Sequence, residues 1–329
     1  MAFEPHPWFI GLEGVEHSAE VARTLAWAAT SGASGIIKPT DLRVRATPVP
    51  GGTVRIMPGG FVVESSYAGA SQQSYVERVP TTTEVAVPAT GSSGSATRYV
   101  VAAILDPDYP GGGTAPEIPN DGVYAAPRVT TTLNLAYPHV PLARINQPAN
   151  TATITDDMIT DLREVANPRT LDVWRPRATV KADEEYLTST STDGEWFPNG
   201  GGEQLIYIPE WATRAQICVK WLQVRIASGK SGWGQMWLEY GPYLRPSTRE
   251  RSTQRYQWDT TGGKTYTYRE NWIVEDDVYI PAAYRGTEQT FVLKARRDPA
   301  SDNRTALIDG LSGVSLQVRF LESADPSTS

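Results

Sequence analysis

Apolar residues near the start of the chain recur at helical spacing, and beyond that point they alternate with polar residues as they do in strands. In the segment HSAEVARTLAWAATSGASG, Val21, Leu25 and Ala28 lie on one helical face. Ser18 is placed to cap the first turn, and Gly32 is placed to end the helix. The pattern predicts one amphipathic helix followed by a β-rich region.

Short alternating segments fill the rest of the first half. DLRVRA, SYVERV, EVAVPA and RYVVAAIL each predict a strand, and TVRIMPGGFVV predicts a strand pair turned at residues 58–60. The segment DPDYPGGGTAPEIPNDG, residues 106–122, is rich in Pro and Gly and is expected to form a long loop.

The first half closes with PLARINQPANTATITDDMITDLREVANPR, residues 141–169, which begins as a strand and becomes acidic. Thr155 is placed to cap a short helix, with Asp156 and Asp157 in a first turn that favours negative charge. Met158 and Leu162 are spaced to share one face of that helix. Asn167-Pro168 is expected to end it.

The second half keeps the two-residue period and carries most of the tryptophans. RAQICVKWLQVRIA changes phase after Trp221, which predicts a β-bulge. WGQMWLEYG is apolar on both faces and predicts a central strand. Thr261-Gly262-Gly263-Lys264 is a hairpin signal. Many short strands without interleaved helices favour two packed sheets.

The predicted fold class is therefore mainly β. An N-terminal β-rich module with one or two short helices is followed by a C-terminal antiparallel β-sandwich that is jelly-roll-like. The predicted boundaries are 1–169 for the module, 170–322 for the sandwich and 323–329 for a polar tail. A chain of 329 residues is long enough for two such domains.

Composition excludes several function classes. A net charge of −7 offers no basic field for nucleic acid, and no apolar segment approaches the ~20 residues that span a bilayer. The N-terminal segment lacks the pattern of a signal peptide, so synthesis in a cytoplasm is expected. The one cysteine, Cys218, lies in a predicted strand, is expected to be buried and inert, and cannot form an intrachain disulfide.

No motif predicts catalysis, a cofactor or a metal. The histidines His6, His17 and His139 share no pattern with a nucleophile, and phosphate-binding fingerprints are absent. The aspartates of residues 156–161 fit a capped helix better than a calcium site, which takes ~6–8 oxygen ligands. Glycoside hydrolysis stays open as an alternative, because its two carboxylates need not be adjacent in sequence. The available acids are Asp183, Glu184, Glu185, Glu195, Glu275, Asp276 and Asp277.

The aromatic residues of the second half are the candidate binding surface. They are Tyr240, Tyr243, Tyr256, Trp258, Tyr266, Tyr268 and Trp272. Amphipathic rings of this kind could present a platform for sugar rings, and they equally suit a sandwich core or a subunit interface. Both interpretations stay open from the sequence.

The first half resembles the minor tail proteins of siphophages that infect actinobacteria. The resemblance rests on HSAEVARTLAWAATSGASGIIKPTDLRVRA, on the strand pair turned at PGG, and above all on the closing PLARINQPANTATITDDMITDLREVANPR. It covers residues 1–169; the second half is similar to the distal sandwiches of such proteins in general character only. In this family the equivalent of the first half is an attachment module and the distal domain varies.

The resemblance implies a virion structural protein of the tail tip or baseplate, synthesised and assembled in the host cytoplasm. It implies self-association, with a homotrimer expected, and contact with other tail proteins. The sandwich is then expected to face outward and to be a candidate for binding host surface glycan. A tail-associated cell-wall glycan hydrolase and a structural adaptor without a ligand are the alternatives.

Overall fold

The computed structural model describes residues 18–92, 94–114, 123–177, 184–199, 203–242, 249–252 and 256–325, with the backbone alone at residues 176, 177 and 256. The chain divides into two compact units. Met1–Pro168 and Ser323–Ser329 form unit 1, and Arg169–Glu322 form unit 2. The C-terminal segment, expected as a polar tail, therefore returns to unit 1, where Ala324 packs against the core and the Asp325 amide donates to the Pro39 carbonyl at 3.1 Å.

Unit 1 contains one α-helix and ten strands within the described residues. They are α1 (Ala19–Thr30), β1 (Gly35–Ile36), β2 (Val44–Ala46), β3 (Thr53–Ile56), β4 (Gly59–Glu64), β5 (Ser74–Val79), β6 (Thr83–Ala86), β7 (Ala96–Ile104), β8 (Ala125–Thr130), β9 (His139–Gln147) and β10 (Ile159–Asp161). The predicted helix is confirmed: Ser18 Oγ accepts from the Val21 amide at 3.1 Å, and the left-handed Ser31 ends the helix before Gly32.

The strands of unit 1 form three small antiparallel sheets, in the orders β1-β4-β5, β2-β3-β6 and β10-β9-β7-β8. The prediction that residues 58–60 turn a pair of adjacent strands is wrong. β3 and β4 follow each other along the chain but belong to different sheets, so the Pro-Gly-Gly segment passes the chain from one sheet to the next. The inner faces of the three sheets enclose one apolar core, which includes Val54, Phe61 and Ile145.

The prediction of a helix after Thr155 is also wrong. Residues Asp156–Met158 form a single 3-10 turn, and β10 then pairs with β9, with Ile159 opposite Ile145. The β-branched Ile159 and Thr160 suit a strand, and pairing with β9 satisfies their backbone groups, which outweighs the capping signal.

The chain after β10 packs closely on β1. The Ile36 amide donates to the Glu164 carbonyl at 2.8 Å, and the Ala166 amide donates to the Ile36 carbonyl at 3.0 Å. Gly35 has φ of 151°, and a Cβ placed there would lie 2.2 Å from the Glu164 carbonyl oxygen. Only glycine allows this approach of the two backbones.

Unit 2 contains twelve strands within its described residues. They are β11 (Thr170–Arg177), β12 (Glu185–Tyr186), β13 (Glu195–Trp196), β14 (Glu203–Ile208), β15 (Arg214–Ile226), β16 (Trp233–Gly241), β17 (Glu250–Arg251), β18 (Tyr256–Asp259), β19 (Tyr268–Tyr279), β20 (Thr287–Arg297), β21 (Ala306–Ile308) and β22 (Gly313–Leu321). A 3-10 turn at Ala282–Tyr284 precedes β20.

Eight of these strands form a jelly roll. In one sheet the order is β11-β22-β15-β19, and in the other it is β14-β20-β16-β18, with every pairing antiparallel. Counted along the chain among these eight, the first sheet holds the first, eighth, third and sixth strands, and the second sheet holds the second, seventh, fourth and fifth. This alternation between two packed sheets is the jelly-roll arrangement, so the predicted mainly-β fold with a C-terminal sandwich is confirmed.

Two local predictions for unit 2 are confirmed and one is wrong. The register of β15 against β19 shifts between Trp221 and Val224, where Gln223 has φ of 58°, as expected for a bulge. β16 is central and mostly buried. The turn at residues 261–264 does not form a hairpin, because β18 pairs with β16 while β19 pairs with β15 in the opposite sheet.

Candidate functional surface

The acidic segment that ends unit 1 is held by neighbouring groups of the same unit. Asp156 accepts from the Ala46 amide at 2.8 Å and lies 3.6 Å from the Arg45 guanidinium. Asp157 accepts from the Thr155 hydroxyl. In the described parts of the chain, no three His, Cys, Asp or Glu side chains come together as metal ligands would.

Arg163, which the sequence did not single out, organises this segment. Its side chain is fully buried and forms a two-pronged ion pair with Asp161, at 2.7 and 2.9 Å. Its Nη1 also donates to the carbonyls of Asp41, at 2.6 Å, and Pro39, at 3.2 Å. The Asp-Leu-Arg sequence is thus a structural clamp within unit 1.

Three of the seven aromatic residues proposed as a glycan platform lie in the core of unit 2, which corrects that prediction for them. Tyr240, Trp258 and Trp272 are at most 2% exposed. Trp258 stacks on Trp272 with ring centroids 5.4 Å apart, and Tyr240 stacks on Phe291 at 5.5 Å. A ring enclosed on both faces has no surface left for a sugar.

The remaining members of the proposed platform separate into two groups. Tyr243 and the Tyr256 side chain lie outside the described residues. Tyr266 is 59% exposed and meets the half-buried Tyr268 edge-on, with ring centroids 6.3 Å apart. The Lys264 ammonium lies 4.3 Å from the centre of the Tyr268 ring. A cluster of two tyrosines and one lysine is therefore what remains of the predicted platform in the described structure.

The acids considered for glycoside hydrolysis have structural partners where they are described; Asp183 lies outside the described residues. Glu184 accepts from Tyr186 at 2.6 Å and from Arg225, and these bonds lower its pKa. Glu195 accepts from the Ser189 amide at 2.8 Å. The Glu185 carboxylate accepts from the Asn199 amide.

Five described carboxyl groups have clearly shifted pKa values. Within the described chain all of these shifts are downward, and the groups are Asp172, Glu184, Asp259, Asp309 and Glu322. A glycosidase acid needs a raised pKa so that it stays protonated near neutral pH. These five groups are held in the ionised form instead.

An open polar surface of unit 2 is the outward side of the sheet β11-β22-β15-β19, called here the outer sheet face. Registered pairing places outward side chains in rows across the four strands. One row is Trp174, Gln317, Cys218 and Glu275, and the next is Asp172, Arg319, Gln216 and Asp277. The inward positions between them, such as Ile217, Val219 and Val318, are core residues.

A shallow groove of ≈ 760 Å³ runs along this face. Its lining includes Gln216, Cys218, Glu275, Asp277, Gln317 and Arg319. The sequence did not identify this groove, because its residues come from three strands distant in sequence. The one signal in the sequence is the alternation in β11, which puts Trp174 on the same side as Asp172 and opposite Leu171 and Val173.

Cys218 is only partly buried, which corrects the expectation of a buried thiol. It lies on the floor of the groove, with its Sγ 3.5 Å from Glu275 Oε1. Burial raises the pKa of the thiol, with a smaller contribution in the same direction from the bond to Glu275.

Of the three histidines, His139 lies within the described residues. His139 Nδ1 lies 3.1 Å from the Tyr137 carbonyl oxygen at the start of β9, and His6 and His17 fall outside the described residues. α1 spans 12 residues, and none of the described helices is long and apolar enough to cross a membrane.

Comparison with known proteins gives no family. No family model and no curated protein matches the chain. Among solved structures, a chain in the structure of the infectious bursal disease virus Gx strain is 13% identical to this one. The match has a TM-score of 0.24 and covers 88% of this chain and 68% of that one.

Two further solved structures are equally distant. The VP2 subviral particle of the same virus is 13% identical, with a TM-score of 0.25, over 89% of this chain and 74% of that one. Dimeric latent PorU from Porphyromonas gingivalis is 8% identical, with a TM-score of 0.27, over 92% of this chain and 26% of that one. At these scores the likeness supports no argument about function.

Proposed function

We propose that this protein is a virion structural component of a siphophage tail tip, attached through unit 1 and presenting unit 2 outward as a binding unit. The observation that carries the proposal is the pairing of two features in one chain. Residues 1–169 resemble a tail-attachment module in sequence, and unit 2 is a complete eight-stranded jelly roll. Jelly rolls recur in viral capsid and lectin domains.

The acidic ending of the module has a structural role that supports attachment. Asp156, Asp161 and Arg163 fasten the last strand of unit 1 to its neighbours. Such a clamp gives a rigid body for docking on other tail proteins.

The proposal places the protein in the virion as a self-associated ring component, with a homotrimer as the expected state. The test uses the full chain. Light scattering is expected to give a mass three times that of the 36.0 kDa chain, and gold-labelled antibody against the recombinant protein is expected to mark the tail tip of virions. A monomer in solution combined with unlabelled virions would remove the proposal.

The proposed role is non-catalytic. The lowered pKa values of the perturbed carboxyl groups support it, since none of them is tuned as a proton donor. Incubation of the full chain with cell-wall polysaccharide of an actinobacterial host is expected to release no new reducing ends. Their appearance would favour the hydrolase alternative.

A further inference from the structure

Two amide side chains at the centre of the outer sheet face have no partner within the described chain. Gln216 and Gln317 project from neighbouring strands β15 and β22 into the same groove, and their donors and acceptors stay available. An amide carries two donors and an acceptor, so it can bind a hydroxyl in either direction. A pair of them on rigid strands forms a fixed set of neutral hydrogen-bonding groups.

The charged groups at the corners of the face already satisfy one another. Asp172 and Arg319 pair through two contacts of 2.8 and 3.1 Å. Asp277 and Arg214 pair through two contacts of 2.9 and 2.7 Å. Because both Arg residues are held by carboxylates, neither of these guanidinium groups is free for a phosphate or other anion. Lys220 and Glu275, which share the outward side, carry opposite charges, so the face favours neither sign and the amide pair suits neutral hydroxyl groups.

Trp174 lies beside this amide pair. It is directly opposite Gln317 in the register of β11 and β22, and 65% of its surface is exposed. Registered neighbours have Cβ atoms about 4.5–5.5 Å apart, so an indole and an amide can contact one ligand together. An exposed aromatic face next to hydrogen-bonding groups is a surface that is apolar on one side and polar on the other, as a sugar ring requires.

The dimensions of the face match a short chain of sugar units. Strands are spaced about 4.8 Å apart, so the distance from β11 to β19 is about 14 Å. The groove of ≈ 760 Å³ falls in the size range of small-molecule sites, which is about 300–1,000 Å³. A ligand stacked on Trp174 would extend over Gln317 and Cys218 toward Glu275.

From these observations we infer that the outer sheet face binds a neutral saccharide chain, with Trp174 stacking on one ring and Gln317 and Gln216 bonding to hydroxyl groups. The inference rests on the proposed function for the identity of the saccharide, which is a host cell-wall glycan. It moves the candidate site from the predicted aromatic residues to the rows of Trp174, Gln317 and Gln216 on the outer sheet face.

Affinity electrophoresis of the full chain in gels containing neutral cell-wall polysaccharide from an actinobacterial host provides the first test. Trp174→Ala is expected to weaken binding at least about tenfold, equivalent to about 1.4 kcal/mol. Gln317→Ala is expected to weaken it severalfold. Tyr207→Ala and Tyr266→Ala remove aromatic residues of similar exposure, 53% and 59%, and are expected to bind normally.

Cys218 provides a second test that locates the ligand, because it is the only thiol in the chain and lies in the groove. Bound polysaccharide is expected to slow the reaction of Cys218 with a maleimide, and Trp174→Ala is expected to abolish this protection. A thermal melt monitored by circular dichroism checks that each variant is folded.

Three outcomes would overturn the inference. They are no binding by the unmodified chain, binding that survives Trp174→Ala, and a smaller oligomeric mass for Trp174→Ala, which would make the face a contact between copies. Each is distinguishable from failure of the proposed function. Labelling of virions tests that function separately and does not depend on whether the face binds sugar.

Discussion

Replacing Arg163 tests whether the closing segment of unit 1 is a structural clamp. The fully buried side chain donates to the carbonyls of Asp41 and Pro39 and pairs with Asp161. Arg163→Met would leave the Asp41 carbonyl without this donor, at about 1–3 kcal/mol, and would remove one of two donors to the Pro39 carbonyl, which keeps the Asp325 amide, at about 1 kcal/mol. Asp161 is 36% exposed and would regain water, so its share is small. The expected loss in the free energy of unfolding of unit 1 is about 3 kcal/mol, at the low end for breaking a buried ion pair.

Hydrogen exchange measured by mass spectrometry on the full chain can assign this loss to unit 1. Most tryptophans lie in unit 2, so fluorescence would report the wrong unit. Amides of β2, β3 and β9 are expected to lose about a hundredfold in protection, while those of β15 and β20 are unchanged.

Two further variants decide whether the Arg163 reasoning is right. Arg163→Lys keeps the charge but not the planar set of donors, so it is expected to recover only part of the stability. Arg319→Met breaks the exposed pair with Asp172 and is expected to leave protection unchanged. A loss below about 1 kcal/mol for Arg163→Met, or full recovery by lysine, would refute the clamp.

Three other perturbations follow from unit 2. Trp221→Phe removes a buried donor that bonds the Phe197 carbonyl at 2.6 Å, and it is expected to lower the free energy of unfolding by about 2–4 kcal/mol in urea titration monitored by circular dichroism. Gln223→Gly relieves a left-handed backbone at φ of 58° and is expected to stabilise by up to about 1 kcal/mol in the same assay; destabilisation would contradict the bulge. For Glu322, burial opposes ionisation, but bonds from the Arg169 side chain and amide prevail and lower the pKa. A carboxyl group with a lowered pKa stabilises the folded state at pH values above its unfolded-state pKa, and this contribution is lost as pH falls through the folded-state pKa. Glu322→Gln is therefore expected to flatten the decline of melting temperature below about pH 4.5. An unchanged slope would exclude the pair of Glu322 and Arg169 as a cause of that decline.

The closing segment shows where local signals in the sequence mislead. Thr155 followed by Asp156 and Asp157 is a valid helix start, yet only one 3-10 turn forms. The decisive partner is another strand, because β9 lies alongside and offers backbone partners to Ile159–Asp161. A capping preference of about 1 kcal/mol does not outweigh several strand hydrogen bonds and the burial of neighbouring apolar side chains.

The aromatic platform illustrates a second limit. Alternation shows that Tyr240 and Trp258 point to the opposite side of their strands from the residues next to them. It does not show which side faces the core. The packing of the two sheets decides this, and it buries Trp258 against Trp272. The same packing leaves Trp174 on the outside of an edge strand.

By itself, the sequence determined what depends on neighbours along the chain. The capped helix α1, the two-residue period, the bulge after Trp221 and the mainly-β class with a C-terminal sandwich all follow from local spacing and backbone preference. Tertiary structure alone decided which strands pair, which faces are buried and where Arg163 points. Several of those features join groups more than a hundred residues apart, such as β11 with β22 or Arg163 with Asp41, and no local pattern records which distant backbone will be the neighbour.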